Sequence, residues 1–350
     1  REEKLRLTPE EYKVFLDMNQ EIIQPAGINI QPNQTAKTKD VPDIDSITGS
    51  NKISEVPFAH LHVHTQYSIL DGAAAIPQLI AKAKNDGMEA IAITDHGNMF
   101  GAKIFHNIAK KNNLKPIIGC EVYVAKRSLK DKTDKIDGSG DHLILLAKNL
   151  TGYRNLIRLV SIGWIEGFYY KPRIDKEHLK KYKEGLIVTS ACLGGEIPQT
   201  IMNEGLDEAE KRILEFKETF GDDFYLEIMR HPSGDQQMDE KVFKDQVFVN
   251  RHLLEFGDNH NIKCIATNDV HFIDPEDAAA HDRLICLSTN KDLDDPDRLK
   301  YTQQEWFKTQ SEMRELFADI PQVLENTQEI VKKVEFYELN RKPILPAFPL

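Results

Sequence analysis

A broad basic surface, paired cysteines and long apolar runs are all missing from this sequence. Its 350 residues carry 45 Lys and Arg against 56 Asp and Glu, a formal charge of −11. That balance argues against an extended basic nucleic-acid face, although a metal site can still carry the contact with a phosphodiester. The four cysteines, Cys120, Cys192, Cys264 and Cys286, form no Cys-x-x-Cys pair, so a disulfide framework is not expected. No apolar run reaches the length of a membrane span and the N-terminus has no signal-peptide pattern, which points to a soluble, cytoplasmic protein without a membrane partner. Position 1 is Arg rather than Met, as in a fragment or a processed chain. At this length the chain can bury a full core, as one large α/β domain with appendages or as two smaller ones.

What the sequence does hold is organised around residues 58–72, where His60, His62 and His64 alternate with apolar residues and Asp71 follows. In a strand, where side chains repeat with period two, all three imidazoles fall on one face. Imidazoles beside a carboxylate suit Zn²⁺, Mn²⁺ or Fe²⁺ better than Mg²⁺ or Ca²⁺, which prefer oxygen ligands. Taken alone, the stretch also reads as the polar face of an exposed edge strand.

Residues 1–56 read as a separate appendage. Thr8-Pro9-Glu10-Glu11 is a capping box that opens a short helix to about Gln20, and the polar sequence over 24–54 reads as a linker. From Pro57 a strand-then-helix rhythm sets in. Apolar β-rich runs at 58–63, 90–94, 116–124, 142–147, 185–190, 224–229 and 262–267 alternate with helical patterns at 76–86, 100–112, 153–162, 206–220 and 240–260. Repeated βα units with near-continuous apolar strands imply a parallel sheet buried on both faces, and seven or eight of them close most readily into a barrel, here over 57–274. A doubly wound open sheet is the alternative. From 275 to 350 the pattern becomes an extension, with helices at 274–287, 303–307, 311–317 and 320–334 and a proline-punctuated end at 342–350.

In a βα barrel reactive side chains gather where strands end. His62 and His64 end the first run, Asp95 and His96 the second; Glu121 lies on the third, Cys192 follows the fifth, His231 the sixth, and Asp269 and His271 the seventh. His142 precedes its run and would sit at the wrong end of a strictly parallel strand. Each has a plain reading of its own: Asp95 as a helix cap, Cys192 as a small buried hydrophobe, Asp269 as an Asx turn, His231-Pro232 as loop. Glu121 would be an unpaired buried charge unless it met a cation or a donor. Jointly the plain readings fail, because independent loops have no reason to place ligand-type residues repeatedly at one end of successive strands. So many groups exceed the four to six ligands of one ion and suit two or three ions sharing carboxylates. Phosphoester hydrolysis is the natural chemistry of such a cluster, with amide or lactam hydrolysis its nearest competitor. The aromatic and basic stretch 168–173 could stack bases beside phosphate contacts, and the basic loop 126–132 reads first as solvated surface.

These motifs, His62-x-His64 with Asp71, Thr94-Asp95-His96-Gly97, Gly119-x-Glu121, His142, Cys192 and Asp269-x-His271, resemble the PHP (polymerase and histidinol phosphatase) domain. Within that superfamily, residues 58–72, 149–155 and 267–274 look like the N-terminal region of bacterial replicative DNA polymerase III alpha subunits. The resemblance covers residue 56 to the C-terminus. It implies a distorted seven-stranded (βα)7 barrel of α/β class, preceded by the appendage and followed by the helical extension. It also implies nine ligands to two or three divalent ions (Zn, Mn or Fe): His62, His64, Asp71, His96, Glu121, His142, Cys192, Asp269 and His271. Asp95 and His231 would lie beside the metals, behind the ligands or against substrate. The implied activity is a metal-dependent 3′–5′ exonuclease of proofreading type. The implied partners are a single-stranded DNA 3′ end, the remainder of the polymerase chain, the sliding clamp, the clamp loader and a proofreading subunit. The palm carboxylates of polymerisation have no counterpart, so DNA synthesis is not expected of this stretch. A small-molecule phosphoesterase and a non-catalytic, metal-stabilised module remain as alternatives.

Overall fold

The computed structural model describes residues 56–134 and 136–340, so the capping box at Thr8, the linker and the proline-punctuated end lie outside the described residues. Six of the seven apolar runs form strands of one sheet, and the first run is extended backbone that closes it. The strands are β1 Ala90–Ile93, β2 Lys115–Val124, β3 Asp141–Ala147, β4 Phe168–Tyr169, β5 Lys171–Ile174, β6 Leu186–Thr189, β7 Phe224–Ile228 and β8 Cys264–Ala266. Every residue of β1, β6, β7 and β8 is buried, as strands covered on both faces must be.

β1 pairs with β2, β6 with β7 and β7 with β8 in parallel, but β3 runs antiparallel to both β2 and β6. The all-parallel expectation is corrected there. The first run then closes the sheet into a distorted seven-membered barrel. On one side the carbonyls of His60 and Val63 accept from Ala92 N (2.9 Å) and Thr94 N (2.7 Å). On the other, His64 N donates to Val270 O (2.7 Å) and Val270 N to His62 O (3.2 Å). An open sheet would leave one of these edges unpaired.

The barrel separates two apolar layers. Its interior holds Leu61, Ile117, Ile144, Leu146, Ile187 and Ile265, and is plugged at the lower end by Ile330, Val331 and Val334 from the segment after the barrel. The outer layer lies under helices α1 Ile76–Asn85, α2 Ala102–Lys111, α3 Leu150–Ile165, α4 Lys176–Lys181, α5 Glu196–Asn203, α6 Leu206–Phe220 and α7 Lys244–His260. α3 starts at Asn149, whose side chain accepts from Gly152 N, and α4 at Asp175, which accepts from His178 N. The short helices α4 and α5 are additions to the sequence reading.

The extension supplies α8 Ala278–Thr289, α9 Gln310–Leu316 and α10 Gln322–Lys333. α10 carries the plug, and its Thr327 hydroxyl accepts Ala59 N (3.2 Å) where the first run has no strand neighbour. The helix expected at 303–307 does not form: Trp306 bridges to Phe272, Phe307 N donates to Phe272 O (2.9 Å), and Phe307 is fully buried. Pairing with a neighbouring segment overrode the local pattern there. The aromatic and basic stretch 168–173 is the β4–β5 hairpin. Arg173 does not face solvent but is buried, donating to the carbonyls of Gly167, Leu129, Asp131 and Asp137.

Candidate metal centre

The site forms at the upper mouth of the barrel. The backbone bends at His62, and this separates the three histidines that strict alternation would put on one face. His60 lies outside the barrel, its Nε2–H donating to Lys308 O (2.8 Å) and its ring held between Phe58 and Phe307. His62 and His64 face the mouth, with their Nε2 atoms 3.1 Å apart.

Around them the remaining expected groups converge. His62 Nε2 lies 3.0 Å from Glu121 Oε2 and 3.1 Å from Asp269 Oδ1, and His64 Nε2 lies 3.2 Å from the same Asp269 oxygen. Glu121 Oε1 meets His96 Nδ1 at 2.7 Å and His142 Nδ1 at 2.9 Å, and Cys192 Sγ lies 3.7 Å from that His142 nitrogen. His96 Nε2 approaches Asp71 Oδ2 at 2.9 Å, and His271 Nε2 lies 3.8 Å from Asp71 Oδ1. All nine expected ligands are therefore brought together. His142 joins them because β3 is antiparallel, which puts its first residues at the end where the parallel strands finish.

Three overlapping groups have ligand atoms close enough to share an ion: His64, His96 and His271; His62, His64, Glu121 and Asp269; and Glu121, His142 and Cys192. His62 and His64 form a buried floor, while His96, His142 and Asp71 keep partial exposure at the rim.

Asp95 and His231 stand behind this cluster, both buried. Asp95 accepts from Thr65 N (2.7 Å) and Ser68 Oγ (2.8 Å), and Ser68 Oγ meets His64 Nδ1 at 3.1 Å. His231 donates from Nε2 to Asn268 O (3.2 Å) and accepts at Nδ1 from Gln246, steadying the backbone just before Asp269. Neither reaches the open face.

Sequence reasoning missed Glu227, Tyr301 and His281. Glu227, on β7, accepts from His62 Nδ1 (2.9 Å), Thr267 Oγ1 (2.7 Å) and Thr189 Oγ1. A carboxylate behind a ligating imidazole fixes its tautomer and orientation. Its signal was available, since a charge inside the apolar run of β7 is the argument already applied to Glu121. Tyr301 and His281 approach Asp71 from the extension.

The electrostatics show a site crowded with electron pairs. Burial opposes charge on His62, but Asp269 and Glu227 outweigh it and hold its pKa well above the usual value. Burial likewise opposes His96, yet Glu121 and Asp71 raise it to about 10. Burial lowers His64 to about 3, assisted by His96 and His271. Burial works against the charges of Glu121 and Asp269, but adjacent imidazoles, His142 and His96 for the first and His62 and His271 for the second, hold both far below the carboxylate range. Burial, then Asp269 and Glu121, push the Cys192 thiol up, where a coordinated cation would deprotonate it. His96 Nε2 faces Asp71, and Asp269 Oδ1 faces His62 and His64, at 2.9–3.2 Å but without hydrogen-bond geometry. The mixed N, O and S donors and these atoms fit divalent cations.

The PHP domain family model matches residues 60–231. The DNA polymerase III subunit alpha of Borreliella burgdorferi is 48% identical over 296 residues, 84% of this chain and 25% of the relative. That of Campylobacter jejuni is 44% identical over 303 residues, 83% of this chain and 24% of the relative. The chain thus spans about a quarter of the length of these curated relatives. Among solved structures, a two-domain protein from Bacteroides vulgatus containing a predicted PHP-like metal-dependent phosphoesterase aligns over 89% of this chain and 78% of its own, at 13% identity and a TM-score of 0.40.

Proposed function

Residues 60–231 are a PHP domain, and we propose that nine converging side chains, seven from that stretch with Asp269 and His271 beyond it, hold two or three divalent ions and hydrolyse a phosphodiester at the 3′ end of a single DNA strand. The observation that carries this reading is the cluster itself: eight ligand-type side chains from separate segments meet in three overlapping groups at one mouth, and Asp71 joins them 2.9 Å from His96 Nε2. His62, His64, Glu121 and Asp269 would hold one ion. Glu121, His142 and Cys192 would hold a second, whose sulfur and imidazole donors favour Zn²⁺. Asp71, His96 and His271 would hold a third. When bound, such ions lower the pKa of water and offset the negative charge of a phosphodiester.

The chain's own residues would do the rest. Glu227 orients His62, Asp95 orients His64 through Ser68, and His231 steadies the turn that carries Asp269. Beside the mouth, Trp164 donates its Nε1–H to Gly97 O (2.8 Å), next to His96, and stacks on Phe168 with ring centroids 5.5 Å apart. Both rings keep nearly half their surface exposed, a platform on which a terminal base could stack. The exposed Lys171 lies over the Tyr123 ring, which itself edges His142, so an ammonium flanks the mouth for a phosphate.

The relatives are subunits of a DNA polymerase, which supports a setting in cytoplasmic DNA replication. There the partners would be the rest of the polymerase chain, the sliding clamp, the clamp loader and the proofreading subunit. No described helix is long and apolar enough to cross a membrane.

The test is 3′-end degradation of a 5′-labelled single strand and of a mismatched primer, with Mn²⁺ or Zn²⁺ supplied, by the chain and by its His62→Ala/His64→Ala variant. Metal-dependent shortening absent from the folded variant is the expected result. A sample shown by elemental analysis to hold its ions, yet leaving both substrates intact, refutes the nuclease reading and favours a metal-stabilised module.

A further inference from the structure

The extension after the barrel reaches back into the metal centre. α8 carries His281, and the loop that follows carries Tyr301. That loop is pinned on both sides of the tyrosine. Arg298 forks onto Asp282 in α8, with Nη2–Oδ2 at 2.7 Å, and Thr302 N donates to Glu305 Oε1 at 3.1 Å. Held between these anchors, the Tyr301 ring packs edge-on to His281 and against His271, each with centroids 4.9 Å apart.

The Tyr301 hydroxyl meets more acceptors than one hydrogen can serve. It lies 3.0 and 3.3 Å from the two Asp71 oxygens and 3.4 Å from His271 Nε2. His271 commits Nδ1 to Asp269 O at 2.7 Å, so its hydrogen sits there and Nε2 presents a lone pair. His96 Nε2 faces Asp71 from another side at 2.9 Å. His281 Nε2 is buried, has no hydrogen-bond partner and points at Asp71 Oδ1 from 3.8 Å. Asp71 is thus faced from three sides, by the Tyr301 hydroxyl, His96 and His281, in a largely buried place where a carboxylate is stabilised by donors and by a cation.

We infer that Tyr301 and His281, both supplied by the extension, are positioning residues for Asp71 and complete the surroundings of the ion that Asp71, His96 and His271 would hold. Through them, occupancy of that ion is linked to the docking of the extension on the barrel. A cavity of about 550 Å³, lined in part by Lys241, Arg298 and Lys300, shares Tyr301 with the metal centre. A shift of the loop would therefore be felt on both sides of the tyrosine. The inference rests on the metal-holding reading of the nine ligands but not on the nuclease activity.

The experiment is a Mn²⁺ titration of the chain after chelation, with bound ions counted by elemental analysis and the melting temperature followed with and without metal. Tyr301→Phe removes only the hydroxyl and His281→Leu only the imidazole. Each is expected to weaken one ion by about ten- to a hundredfold and leave the others alone, as loss of an outer partner does. Metal-free melting temperatures should stay near the wild type. His281→Gln, which keeps a polar group facing Asp71, should recover part of the loss. Asp71→Asn should lose the same ion, with no further loss on adding Tyr301→Phe. If His281→Leu fails to fold, Tyr301→Phe decides alone. Wild-type titrations from Tyr301→Phe and from any folded His281 variant would overturn the inference while leaving the metal centre standing. A wild-type chain that binds no ion would overturn both.

Discussion

Replacing Glu227 by glutamine removes a charge from behind the metal centre while keeping the side chain's shape. The carboxylate serves three donors: His62 Nδ1 at 2.9 Å, Thr267 Oγ1 at 2.7 Å and Thr189 Oγ1. An amide carbonyl can still accept from His62, and its NH2 can turn to a threonine oxygen, which can accept as well as donate. Geometry therefore survives and basicity does not. Loss of an orienting carboxylate costs about ten- to a hundredfold in metal affinity, or roughly 1.4 to 2.7 kcal/mol at about 1.4 kcal/mol per decade. Glu227→Ala should cost more, because it also strands His62 Nδ1–H and two hydroxyls in a buried place at about 1–3 kcal/mol for an orphaned donor. The two variants thus separate charge from packing. The pH dependence gives a second readout. Despite burial, Asp269 and Glu227 raise the pKa of His62, so a proton competes with the ion below that pKa and metal affinity falls as pH falls. Removing the Glu227 charge lowers the His62 pKa and moves the acid midpoint of metal binding to lower pH, even as affinity on the alkaline plateau drops. Isothermal titration with Mn²⁺ across pH, in chelator-treated protein, measures both. A Glu227→Gln variant with wild-type affinity and an unmoved acid midpoint would refute the role assigned to this carboxylate.

Three further outcomes follow from other parts of the molecule. Burial holds His60 neutral, with a pKa of about 3. Its contribution to stability is therefore full above pH 6.5 and is lost as pH falls towards 3, by up to about 5 kcal/mol. His60→Gln should flatten that slope in urea unfolding followed from pH 7 to 4, and an unchanged slope would count against it. Arg173 spends its guanidinium on four carbonyls in the interior. Arg173→Met should cost about 3 kcal/mol or more of stability by stranding those carbonyls, seen in the melting temperature, with bound ions still counted as in the wild type. A Trp164→Ala, Phe168→Ala variant should weaken single-strand binding by about 1–3 kcal/mol for each base that stacks, measured by fluorescence anisotropy of a labelled oligonucleotide, at unchanged metal content. Equal binding would exclude the platform.

Much of the fold was legible because strand and helix patterns here are local. The seven apolar runs and five helical patterns each correspond to an element or to the closing segment. The direction of β3 was not legible, because direction depends on pairing partners and not on the run itself; the awkward place of His142 was its only trace. The helix expected at 303–307 failed for the same reason, since pairing with Phe272 decides the backbone there. His281 and Tyr301 carried no signal at all. Nothing near them in sequence is of ligand type in a repeating pattern, and Tyr301 meets Asp71 across 230 residues of chain.

The division between apolar core and polar mouth follows from parity along the strands. In β2, Ile117 lines the barrel interior and Glu121, four residues on, stands in the mouth; in β3 the same parity joins Ile144 and Leu146 to His142. β6 runs from Ile187 to Thr189, β7 from Tyr225 to Glu227, and beyond β8 Ile265 gives way to Thr267. Each time the step of two from an interior residue lands on a group that bonds at or behind the site. Period two therefore predicts which side chains meet, provided the strand is regular. The first run breaks the rule. Ala59 and Leu61 line the interior, so regular alternation would send His62 and His64 out to the helices and bring Val63 in. The bend at His62 reverses that, leaving Val63 in the outer layer and turning two imidazoles onto the mouth. The residue pattern alone reads the same on either side of the bend. What fixes it is pairing on both edges, with Thr94 N on Val63 O and Val270 N on His62 O, so the site's floor is set by the two neighbours that close the barrel.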